Sequence, residues 1–79
     1  MAWRVLQQGG RQWSVVPAAE RKGTSPLWSL VLAFRAVGDR GPGVWAPYPL
    51  ESPSKARLFA QAERIPDENL SALLAERLG

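Results

Sequence analysis

The chain has 79 residues, 46% of them hydrophobic and 22% charged, with a formal charge of +3 and neither cysteine nor histidine. That length supports one modest core, and the composition is too apolar for a disordered chain and ordinary for a globular one. Missing thiols and imidazoles exclude a disulfide scaffold, a Cys or His zinc site and a Cys or His nucleophile, and leave only carboxylate, hydroxyl and lysine chemistry.

The charge is unevenly placed. Residues 1–50 carry six cations against Glu20 and Asp39, whereas residues 51–79 carry four against five carboxylates, so the basic character belongs to the first half. Such a half attracts anionic partners, although solubility alone also accounts for it. Met1 to Gly10 lacks the apolar stretch of a signal peptide, and the longest clean apolar run, Leu30 to Phe34, is far too short to span a bilayer, so the expected compartment is the cytoplasm. Richness in Ala, Leu, Arg, Gly and Pro suits a GC-rich prokaryotic genome.

The first half reads as strands, expected at about 2–8, 11–17, 27–37 and 43–47. Trp3 and Val5 alternate with Arg4 and Leu6, Trp13 and Val15 alternate with Ser14 and Val16, and Gly9-Gly10 stands between the runs. A two-residue loop puts Trp3 and Trp13 on opposite faces. A three-residue loop, Gln8-Gly9-Gly10, pairs Val5 with Trp13 and Trp3 with Val15 and gathers both tryptophans and both valines on one face; it is the predicted register.

Glu20 to Pro26 is a polar connector. In Leu27 to Arg35 every even position, Trp28, Leu30, Leu32 and Phe34, is large and apolar, which marks a central strand with one face on the core. Each such side chain contributes roughly 1.5–3 kcal/mol on burial before entropy is counted. The turn at Gly38-Asp39-Arg40-Gly41-Pro42-Gly43 leads to Val44-Trp45-Ala46, where Pro42, Pro47 and Pro49 predict a short edge strand.

From Ser52 the period becomes helical. Ser52 is the expected N-cap with Pro53 at the first helical position of a helix over 53–64, whose apolar face is Leu58, Phe59, Ala62 and Ile65. Pro66 ends it, and Asp67 and Glu68 open a second helix over 67–78 with Leu70, Leu73, Leu74 and Leu78 as its stripe. The expected fold is α+β, a single domain made of a four-stranded, mainly antiparallel meander followed by two short C-terminal helices on one face.

No constellation calls for catalysis. The glycine-rich turn at 38–43 opens a strand and lacks the Lys-Ser or Lys-Thr pair of a phosphate loop. Asp67, Glu68 and Glu63 surround a helix junction, where capping accounts for them. Ser52 or Ser54 with Lys55 would need a buried lysine, and Lys55 stands in a polar first turn. The expectation is a non-catalytic binding or regulatory module with no cofactor and no metal. It would dock on a larger protein through the fourth strand and its Trp45, Tyr48 and Arg40 surroundings. Trp45 points outward if Val44 and Ala46 face the core, and the flanking prolines leave that parity open. The alternative is nucleic-acid binding through Arg4, Arg11, Arg35 and Arg40, interleaved with aromatics, and through Arg57 and Arg64, which line one helix face with Gln61. Pairing of the exposed edge strand with a second copy is a further expectation for partners.

Overall fold

A computed structural model describes residues 3–38 and 43–78. The chain is α+β: β1 (Arg4–Gln8), β2 (Arg11–Glu20), β3 (Trp28–Ala36) and β4 (Val44–Ser52) form one antiparallel sheet in the order β1-β2-β3-β4. Helices α1 (Lys55–Ala62) and α2 (Asp67–Leu78) follow and pack on one face of it. Among the described residues no helix is long and apolar enough to cross a membrane.

The first hairpin departs from the expected register. Gln8 pairs with Arg11, Leu6 with Trp13 and Arg4 with Val15, so the loop is the two-residue Gly9-Gly10. Both glycines have positive φ, 61° and 76°, the requirement of a type I′ turn whose twist matches that of the strands it joins. The consequence is a change of face. Leu6, not Val5, joins Trp13 and Val15 in the core, while Val5 stands on the other face at 52% exposure. Trp3 precedes the strand, packs against the core edge and lies 4.3 Å beneath the Arg4 guanidinium.

The even positions of β3 are the floor of the core. Leu30, Leu32 and Phe34 are fully buried and Trp28 partly so, together with Val15 from β2 and Ala46 from β4. Leu58, Ala62 and Ile65 at the first helix and Leu70 and Leu74 at the second close the layer from above. Leu78, expected in the apolar stripe of α2, is instead 49% exposed.

Strands β2 and β4 are longer than their prolines suggested, and the phase of the ladder explains why. In an antiparallel ladder the N–H groups of successive residues point alternately to the two neighbouring strands. The Val37 N–H donates to the Gln12 carbonyl at 2.9 Å, which sets the even residues of β2 toward β3 and the odd ones toward β1. Pro17 therefore directs its missing donor beyond Arg4, where the β1 pairing has ended, and no bond to β3 is lost. The same alternation carried across β3 turns Val44, Ala46 and Tyr48 inward along β4 and leaves Pro47 facing the free edge. Prolines are tolerated at such positions. An irregularity between Ser29 and Leu30 takes Pro49 and Leu50 out of register, and the pairing resumes at Ser29 with Glu51 and Trp28 with Ser52.

Ser52 thus belongs to the sheet. Its hydroxyl accepts from the Ser54 N–H at 3.2 Å, and the N-cap of α1 is Ser54, whose Oγ accepts from the Arg57 N–H at 3.3 Å. At the other end α1 carries no basic residue in its last turn. Arg4 supplies one from β1. Its guanidinium donates to the carbonyls of Ile65, of Ala62 at 3.3 Å and of Glu63 at 2.7 Å, and pairs with the Asp67 carboxylate at 3.0 Å. Carbonyls that a helix terminus leaves without intrahelical donors are met here by one side chain from the edge of the sheet.

Candidate docking face

The helices cover one face of the sheet, and alternation sends every second side chain to the other. That open face has a row-by-row composition set by the register. Val5, Ser14 and Arg35 form one row, Val16, Ala33 and Trp45 the next, then Ala18, Val31 and Pro47, and finally Glu20, Ser29 and Glu51. Trp45 is 61% exposed and Val16 47%, an unusual outlay of apolar surface on a chain with so small a core. Val31 is buried although it is absent from the core cluster, so its cover comes from neighbours on its own face.

Ser14, Val16, Ala33, Arg35, Gly43 and Trp45, with the Phe34 backbone, line a depression of about 210 Å³. Gly43 makes it possible. A Cβ at that position would lie 2.5 Å from the Phe34 carbonyl oxygen, so β4 can approach β3 this closely only with glycine there. The Ser14 hydroxyl donates to the Arg35 carbonyl at 3.3 Å, tying β2 to β3 beside the depression that both residues line.

The predicted docking residues are not gathered on one surface. Ala46 is fully buried, which anchors the parity of β4 and turns Trp45 outward. Tyr48 shares the inward phase of Ala46, packs against the core and accepts a hydrogen bond from Asn69 Nδ2 of α2 at 3.4 Å. Arg40 lies outside the described residues.

The predicted nucleic-acid residues are dispersed as well. Arg4 is engaged at the helix junction on the covered side. Arg11 sits at the hairpin end, its guanidinium 5.7 Å from the Trp13 ring. Arg35 alone of the described arginines stands on the open face, in company with Glu20 and Glu51 at the far end. Arg57 and Arg64 line a separate depression of about 180 Å³ on α1 with Ala60 and Gln61. Two cations, Arg21 and Lys55, lie 5.0 and 5.1 Å from the Trp28 ring at the end of the sheet. Among the described residues no three His, Cys, Asp or Glu side chains converge as a metal site would require.

Sequence reasoning missed Ser14, Val16, Ala33 and Gly43 as members of a surface. The signal was present in the even positions 14–18 of β2 and the odd positions 29–33 of β3, which carry small or β-branched side chains between Glu20 at one end and Arg35 at the other. No protein-family model, curated protein or solved structure matches the chain.

Proposed function

We propose that the protein is a non-catalytic docking module that binds a larger protein partner with the open face of its sheet, centred on Trp45. The observation that carries this reading is the exposed indole of Trp45 standing beside Val16 and Ala33 over a lined depression. An aromatic side chain buries 150–250 Å². Covering the exposed part of Trp45 would contribute about 2–4 kcal/mol of burial free energy, which is the scale of an interface hot spot.

The face, and not the ladder along β4, is the better source of affinity. An added strand needs donors along the edge, and Pro47 removes one at an outward position in the middle of β4. Dispersal of the arginines weighs against nucleic acid as the primary partner. A strand of phosphates crossing the open face would pass Arg35 and then meet Glu20 and Glu51.

The test is paired affinity capture from the native host with the unaltered chain and with Trp45→Ala, both nuclease-treated. The expected result is a protein retained by the first and lost from the second, with thermal unfolding of the two chains nearly coincident. Equal capture by both chains, or a collapse in stability on removing the indole, would overturn the proposal.

A further inference from the structure

Resting on the docking face just proposed, we infer that the partner presents a linear segment in which one large apolar side chain lies close to a carboxylate. The apolar group would fill the depression between β2, β3 and β4, and the carboxylate would sit on Arg35.

Size sets the first half of the inference. A depression of about 210 Å³ falls below the roughly 300 Å³ at which small-molecule pockets begin, and it is open to solvent along the sheet, so it suits one side chain carried on a backbone. Val16, Ala33 and Trp45 supply the apolar part of its lining, beside the polar Ser14 and Arg35.

Charge sets the second half. Arg35 lines the depression and is exposed, and among the described residues no carboxylate lies within ion-pair distance of it; the ion pair that is present joins Arg4 to Asp67 elsewhere. A guanidinium offers a planar fork of donors that matches a carboxylate, and beside a covered indole that pairing is sheltered from water. The opposite end of the same face is acidic. Glu20 and Glu51 flank Ser29, whose hydroxyl donates to Glu51 Oε2 at 3.3 Å. Ser29 and Arg35 are six residues apart on one strand, about 20 Å at an extended rise. The face therefore has a positive end, an apolar middle and a negative end, so it orients whatever lies along it. A segment with its acid beside the apolar anchor is attracted in one direction and repelled in the other.

Selection from a random peptide library displayed on phage, against the full chain and its Arg35→Glu and Trp45→Ala variants, tests this. Circular dichroism first establishes that all three are folded. The unaltered chain is expected to enrich peptides with a large apolar residue one or two positions from Asp or Glu, and the best of these to bind Arg35→Glu at least about tenfold more weakly. Arg35→Glu is expected to enrich Lys or Arg at the same position, and Trp45→Ala to enrich nothing. Peptides that need Trp45 yet show no acidic preference and tolerate Arg35→Glu would overturn the inference while leaving the docking face intact. Enrichment indifferent to Trp45→Ala would overturn the docking face itself. No enrichment on the unaltered chain would overturn the linear segment, with the docking face then judged by the capture experiment alone.

Discussion

The two faces of this sheet are built from the same strands and differ only in which residues alternate onto them. On the helix-covered face Val15, Leu30, Leu32 and Phe34 have no exposure at all, whereas on the other Val5, Val16 and Trp45 are each close to half exposed or more. A strand spends every second residue on the face it does not need for folding. In β2 and β4 those spare positions hold a valine and a tryptophan where lysine, threonine or glutamate would have cost the fold nothing. The covered face accounts for stability, and the open face holds apolar surface that stability does not require.

The contrast breaks most visibly at Phe34. Phe34→Ala, which empties the centre of the covered face, is expected to cost about 3–5 kcal/mol, enough to unfold much of a domain this small at ambient temperature. Urea unfolding followed by tryptophan fluorescence reads the loss, and a shift in midpoint equivalent to under 1 kcal/mol would mean that the helices do not seal that layer.

Arg4 comes next. It is a charged residue at a position whose phase points toward the core, 17% exposed in its side chain, and it holds both helices to the edge of the sheet. Arg4→Ala is expected to cost about 2 kcal/mol by stranding carbonyls at the end of α1, with Arg4→Lys recovering less than half because an ammonium cannot fork across several acceptors. Equal stability of the Ala and Lys variants would show that position, and not donor geometry, is what matters there.

The smallest effect is expected on the open face. Val16→Thr retains the β-branch and should change unfolding free energy by less than about 0.5 kcal/mol. A loss comparable to that at Phe34 would erase the distinction between the faces.

Much of this division was legible in the residues. The even apolar positions of β3 identify the core strand, and the helical stripes of Leu58, Ala62, Ile65, Leu70 and Leu74 identify what covers it. The hairpin register is not legible locally, because Trp3-Arg4-Val5-Leu6 alternates in either phase and the longer loop would have placed two tryptophans on one face. The actual register follows from a turn that two consecutive glycines can form and from an arginine whose charge is met by helix carbonyls distant in sequence. Nothing local announces such a partner for Arg4. Parity of Trp45 was likewise undetermined by a segment in which prolines interrupt every pattern, and it is fixed by the burial of Ala46 beside Leu32, its partner across the ladder. Tyr48, two residues further along in the same phase as Ala46, is turned from the surface by the same packing. Ser52 and Ser54 both carry cap chemistry, and pairing with Trp28 keeps the first of them in the strand.

The phase of Pro47 has a consequence for self-assembly. An open-ended fibre of stacked sheets needs two competent edges on every subunit, one to receive and one to be received. Among the described residues the β4 edge lacks an outward donor at Pro47 and keeps that of Trp45, while the short β1 edge keeps those of Val5 and Gln7. Extension of the sheet through β4 would therefore meet a missing donor midway along that edge, which disfavours open-ended stacking.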